Sequence, residues 1–226
     1  MIYLRNIAFY VAFYGASVFF VLGAVVSSYI DPPRIRTYCE AWSGWHNWCC
    51  ENLLGIIIRI TGERPSGPAF YAIKHESFFE AIAMPWLFEF PAVFVKAELS
   101  EIPGWGHASR VWGNISVSRD QGAKALRQML REVRPAVDAQ RPVCIFPEGT
   151  RVPHGTTPPL QAGFAALYKL LGLTVVPVAV DSGPVYHRLW KVPGTITIHF
   201  GEPIAPGLPR GEVEARVHQA MNCLNG

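Results

Sequence analysis

KHESFFEA, residues Lys74–Ala81, follows one apolar run, Ala69–Ile73, and opens another, so its reading decides whether strands alternate with helices in this chain. Ser77 and Glu80 have the S-x-x-E spacing of a capping box, in which a hydroxyl and a carboxylate bond the free backbone N–H groups at a helix start. This predicts a helix from Ser77 onward and leaves His75 in the turn before it. Residues five apart on a regular helix point about 140° apart, so His75 and Glu80 can meet only if His75 precedes the helix. The cap supplies that placement. A histidine–carboxylate pair and a helix cap are therefore compatible readings of the same stretch.

Working outward, the strand-then-helix pattern repeats. Short apolar runs at Ala69–Lys74, Ala92–Lys96, Ile115–Ser118, Val143–Phe146 and Thr174–Val180 read as buried strands. Thr195–Phe200 alternates Ile196, Ile198 and Phe200 with Thr195, Thr197 and His199, the pattern of a half-buried strand. Ser77–Phe88, Gln121–Val133, Leu160–Leu171 and Val213–Leu224 carry helical spacing between them. Alternation of this kind predicts an α/β sandwich around a largely parallel sheet. Polar residues collect where the strands end: His75, Lys96, Arg119, and Glu148-Gly149-Thr150-Arg151. Open α/β sheets bind ligands at the carboxyl ends of their strands, so these residues are the candidate site.

The N-terminal quarter differs in kind. Ile7–Ile30 contains no charged residue. As a helix it would span roughly 36 Å at 1.5 Å per residue, enough to cross a hydrocarbon core. It is too long for a signal-peptide core. Asp31-Pro32-Pro33 breaks the run. Tyr38–Ile60 then shows apolar residues at helical spacing, with Trp42, Trp45 and Trp48 clustered as Trp is at membrane interfaces. Arg34, Arg36, Arg59 and Arg64 could meet lipid headgroups. The expectation is a membrane-associated helical hairpin over 1–60, with the loop beginning TGERPSGP separating it from a second domain over 61–226.

Composition agrees. Of 226 residues, 50% are apolar and only 16% charged, against about a quarter in average soluble chains. The net charge of +3 comes without a run of Lys and Arg, which argues against nucleic-acid binding. The five cysteines fit neither a disulfide framework nor C-x-x-C spacing. His46 lies near Cys49 without the rest of a metal site, so no metal or other cofactor is expected. Phe79 occupies the second histidine position of an H-E-x-x-H zinc motif, and G-x-S-x-G is absent.

Four segments in order, KHESFFE, KAELSEIPGWG, FPEGTR and VVPVAV, resemble the glycerolipid acyltransferases. The resemblance covers roughly Ala69–Val180, and FPEGTR following the histidine motif is its most specific part. Glu80 departs from the family, which has aspartate there. The resemblance implies that family's sandwich fold and transfer of an acyl group from acyl-CoA or acyl carrier protein to the free hydroxyl of a lysophospholipid, foremost lysophosphatidic acid. It implies His75 as general base with Glu80 orienting it, and Arg151 binding the acceptor phosphate with help from Lys96. Glu148, Gly149 and Thr150 would contact the acceptor or shape the loop, and Arg119 is a further phosphate candidate. It places the protein on the cytoplasmic face of the cell membrane, among membrane lipids. Two alternatives remain at this point: another acceptor such as a lyso-ornithine lipid, or a non-catalytic lipid-binding protein.

Overall fold

The computed structural model describes residues 1–65, 67–118 and 122–225. Ser66, in the loop that was to separate the domains, and Gln121, the expected start of a helix, lie outside them.

Seven strands form one sheet in the order β1-β7-β6-β2-β5-β3-β4. They are β1 (Ile56–Thr61), β2 (Phe70–Ile73), β3 (Ala92–Lys96), β4 (Ile115–Val117), β5 (Val143–Ile145), β6 (Val175–Val180) and β7 (Gly194–Phe200). Neighbours run parallel except β6 and β7. β2 sits in the middle, and its four residues are all buried. Alternation sends Tyr71 and Ile73 to one face and Phe70 and Ala72 to the other. Helices α5 (Gly122–Asp138), α6 (Gly163–Leu171) and α7 (Arg210–Met221) cover the second face. The first is covered by α1 (Ile2–Ile30), α2 (Ile35–Cys49) and α3 (Phe78–Leu87). The shorter α4 (Trp105–Trp112), which the sequence reading did not anticipate, packs beside α1.

α1 and α2 pair as an antiparallel hairpin. The Trp42 Nε1–H donates to Ser17 Oγ at 2.8 Å and the Trp45 Nε1–H to the Ala12 carbonyl at 3.2 Å. α1 has 29 residues with a mean hydropathy of 2.1 over its most apolar stretch, and exposes Leu4, Ile7, Val11, Val18, Phe19, Leu22 and Val26. An exposed apolar face this long suits a membrane. The opposite face is not merely an anchor, because Phe9 and Phe13 are buried in the core of the sheet.

The expected helix over Tyr38–Ile60 is corrected. α2 widens into a π turn at Cys50–Leu54 and stops at Gly55, which is left-handed at φ 72°. Ile56-Ile57-Ile58 then starts strand β1, which pairs with β7. Ile56 and Ile60 lie four apart, which mimics a helix face. The β-branched run behind a glycine is the stronger strand signal. The sheet thus begins before residue 61. The arginines expected at headgroups are partly engaged elsewhere: Arg36 pairs with Glu40 and Glu89, and Arg64 donates to the Leu87 carbonyl.

α3 carries Pro85 inside it, and α2 compensates for the broken ladder. The Ser43 hydroxyl donates to the Ile82 carbonyl at 2.7 Å and accepts from the Trp86 N–H at 3.1 Å. This hydroxyl ties the hairpin to the helix that bears Glu80. His46, also on α2, is buried with Nε2 2.7 Å from the Tyr186 hydroxyl. Burial drives its pKa down to about 3, which keeps it neutral.

Candidate active site

The carboxyl ends of β2, β5 and β6 lie side by side at the centre of the sheet, and each contributes to one cluster. His75 follows β2. Its ring stacks on Phe146, from the end of β5, with centroids 4.2 Å apart. Its Nδ1 lies 3.0 Å from Glu80 Oε2. The same oxygen accepts the Ser77 backbone N–H at 2.9 Å, and the Ser77 hydroxyl accepts the Phe79 N–H at 3.0 Å. The capping box and the histidine–carboxylate pair are therefore one structure, as the spacing predicts. A carboxylate accepts but does not donate, so Nδ1 carries the ring proton and Nε2 carries the lone pair. Nε2 makes no hydrogen bond with a described residue.

Glu80 has a third partner that the sequence reading missed. Ser182, just past β6, donates its hydroxyl to Glu80 Oε1 and lies 2.7 Å from the Ser77 hydroxyl. A signal existed: Asp181-Ser182 follows VVPVAV as His75 follows β2, polar residues at a strand end. With both oxygens engaged and the residue buried, Glu80 cannot swing away from His75. Ser77→Ala should cost about 1 kcal/mol of stability, read as a fall of roughly 2–4 °C in Tm for a chain of this size.

Glu148 is placed beneath the site rather than on its surface. Its Oε1 pairs with Lys74 Nζ at 2.7 Å, and its Oε2 accepts the His75 backbone N–H at 3.1 Å. The Lys74 and Glu148 side chains are 0% and 1% exposed. Lys74 also donates to the Thr156 carbonyl and to Asn222 Oδ1, each at 2.8 Å, which satisfies all three ammonium donors. This buried pair ties the end of β2, the FPEGTR loop and α7 together. Gly149 turns the loop at φ 74°, a left-handed conformation that a side chain would strain. The Val152 N–H returns to the His75 carbonyl at 2.8 Å.

Thr150 and Arg151 are exposed at the rim. The Arg151 guanidinium lies over the Phe78 ring, 3.9 Å from its centroid, and no described carboxylate pairs with it. His75, Lys96, Thr150 and Arg151 all line one cavity of about 1080 Å³, whose walls are otherwise mostly apolar, with Phe20 and Trp42 of the hairpin among them. Arg119 lies outside the described residues. Glu76 and His154, which the sequence reading passed over, form a second pair at 3.0 Å. Burial pushes the Glu76 carboxyl above its usual range, against the lowering effects of the Gly183 N–H and His154.

The arrangement can take a proton at Nε2 beside an apolar chamber that is also lined by the Arg151 guanidinium. The acyltransferase family has a sequence model that matches residues 56–181. A 1-acyl-sn-glycerol-3-phosphate acyltransferase of Pseudomonas aeruginosa is 30% identical over 207 residues, covering 88% of this chain and 79% of that protein. One from Limnanthes alba is 30% identical over 160 residues, covering 67% of this chain and 56% of its own. The crystal structure of the 1-acyl-sn-glycerophosphate (LPA) acyltransferase from Thermotoga maritima shares the fold, with a TM-score of 0.74 at 18% identity over 100% of this chain and 96% of that one. On the family match and the Pseudomonas relative, this chain belongs to the acyltransferase family.

Proposed function

We propose that the protein is a 1-acylglycerol-3-phosphate O-acyltransferase, which moves an acyl chain from acyl-CoA or acyl carrier protein to the free hydroxyl of lysophosphatidic acid and yields phosphatidic acid. The observation that carries this is the Glu80-held His75 on the wall of an apolar cavity that is also lined by Arg151, with which no described carboxylate pairs. In this reading His75 Nε2 takes the acceptor hydroxyl proton as that oxygen bonds to the thioester carbonyl carbon. The tetrahedral intermediate collapses, the C–S bond breaks, and the imidazolium returns the proton to the leaving thiolate. Glu80 stabilises the imidazolium through Nδ1–H, the task a triad carboxylate performs. No covalent enzyme intermediate is required. General-base catalysis of this kind contributes roughly 10²–10⁴-fold in rate, or about 3–5 kcal/mol of barrier.

Apolar walls suit the acyl chain, and the guanidinium fork suits a phosphate monoester, which it can meet with two charge-assisted hydrogen bonds. Lys96, which lines the same cavity, would assist. The exposed face of α1 would hold the enzyme on the cytoplasmic face of the membrane, where its lipid substrate is.

Arg151 provides the test. Arg151→Ala should raise KM for lysophosphatidic acid by about tenfold or more, since a hydrogen bond to a charged group contributes about 1.5–3 kcal/mol, and should leave KM for the donor within about twofold. Arg151→Lys should recover only part, because a point charge lacks the fork. Equal loss for both substrates in a folded variant would remove Arg151 from the acceptor site.

A further inference from the structure

A second cavity of about 930 Å³ lies across Phe78, Thr150 and Arg151, which line both chambers. Its far wall is the segment between β6 and β7, which brings in His187, Arg188 and Lys191. The carboxylate on its lining, Glu76, is taken by His154 and by the Gly183 N–H at 2.8 Å. No described carboxylate lies within salt-bridge distance of Arg188 or Lys191.

Lys191 is the telling residue. It is 3% exposed, yet among the described residues its ammonium has only the Tyr10 hydroxyl at 3.1 Å and the His187 carbonyl at 3.4 Å as hydrogen-bond partners. The rings of Tyr186 and Tyr10 lie 4.6 and 4.8 Å from it. Cation–π contact offsets part of the cost of burying a charge, but an ammonium normally sits this deep only with a counter-ion. Burial lowers its pKa, and a bound anion would oppose that. The residue is also held in place from α1. Asn6, fully buried, accepts the Lys191 backbone N–H and donates to the Lys191 carbonyl, both at 2.8 Å. Tyr10 donates to the Leu189 carbonyl at 2.5 Å. The apolar helix therefore fixes the segment that carries the cations.

We propose that Arg188 and Lys191 bind the diphosphate and 3′-phosphate of a coenzyme A thioester, so that the donor is acyl-CoA rather than an acylated carrier protein. This deepens the acyl-transfer reading and rests on it. The acceptor brings a single phosphate, for which Arg151 at the junction and Lys96 on the apolar chamber's wall suffice. The further cations lie on the side of that junction away from the apolar chamber, where the thiol portion of a donor must extend if its acyl chain occupies the chamber. A carrier protein would meet charges on an exposed surface, whereas Lys191 lines the second cavity at 3% exposure.

The test uses full-length enzyme in detergent micelles, with Arg188→Gln and Lys191→Gln variants. KM is measured for palmitoyl-CoA, for palmitoylated acyl carrier protein, for phosphate-free palmitoyl-pantetheine and for lysophosphatidic acid, and binding of coenzyme A alone by equilibrium dialysis. Each variant should raise KM for palmitoyl-CoA by about tenfold or more, weaken coenzyme A binding in parallel, and affect palmitoyl-pantetheine and lysophosphatidic acid far less. A rise in KM for lysophosphatidic acid instead would make this an acceptor site and overturn the proposal, as would unchanged kinetics in either folded variant or wild-type preference for the acylated carrier protein. If Lys191→Gln fails to fold, Arg188→Gln, at an exposed position, decides alone. Coenzyme A binding without acyl transfer to any lysolipid would sink the reaction assignment and leave this site standing; acyl transfer with an Arg188→Gln enzyme identical to wild type would do the reverse.

Discussion

Replacing His75 with alanine should lower kcat by roughly 10²–10⁴-fold while thermal unfolding changes little. The side chain is 15% exposed and its contacts are local: the Phe146 ring and one Glu80 oxygen. Its backbone N–H and carbonyl, which bond Glu148 and Val152, survive the substitution. Glu80→Gln is the sharper companion. A glutamine can turn its carbonyl toward His75 Nδ1–H and the Ser77 N–H and its amide toward Ser182, whose hydroxyl can accept instead of donate. The cap and the imidazole orientation then persist, but the negative charge that stabilises an imidazolium is gone. Activity should fall well below wild type, with a smaller loss in Glu80→Asp, which keeps the charge and shortens the reach. The measurement is kcat beside thermal unfolding for all three variants. A fully active Glu80→Gln enzyme beside a dead His75→Ala one would reduce Glu80 to a helix cap.

The largest expected effect on stability lies beneath the site. Lys74→Met leaves Glu148 as a buried carboxylate without its cation, and removing one partner of a buried ion pair costs about 3–5 kcal/mol. For a chain of this size that is a fall of roughly 6–20 °C in Tm. The double variant Lys74→Met/Glu148→Gln should recover much of the loss, because the glutamine carbonyl can still accept the His75 N–H and no charge remains buried. Thermal unfolding followed by circular dichroism measures both. A single variant within about 1 kcal/mol of wild type, or a double variant no better than the single, would contradict the role given to this pair.

The sheet was legible because its strands are short apolar runs closed by polar residues, and that rule also put His75, Lys96 and Arg151 around one space. The capping-box spacing fixed where His75 stands relative to Glu80. What escaped came from long-range partners, about which spacing is silent. Glu148 reads as a site residue in FPEGTR, and only the fold reveals that Lys74 takes it. Ser182 reaches Glu80 across 102 positions. Strand β1 was hidden by the helical spacing of Ile56 and Ile60, which made the hairpin seem to extend into what is the sheet edge. Asn6 sits one residue before an uncharged run and reads as the start of an anchor; its pairing with Lys191, 185 positions away, makes that helix part of the site wall.

The central claim is that a thioester's acyl group passes to a phosphate-bearing lysolipid at His75. Its most direct measurement is the rate of thiol release from palmitoyl-CoA by purified full-length enzyme, on adding either lysophosphatidic acid or phosphate-free lysolipids such as monoacylglycerol and lyso-ornithine lipid. Rapid release with lysophosphatidic acid, little with the others, and almost none in His75→Ala is the predicted result. Release that ignores the acceptor phosphate, or that persists in His75→Ala, would contradict it.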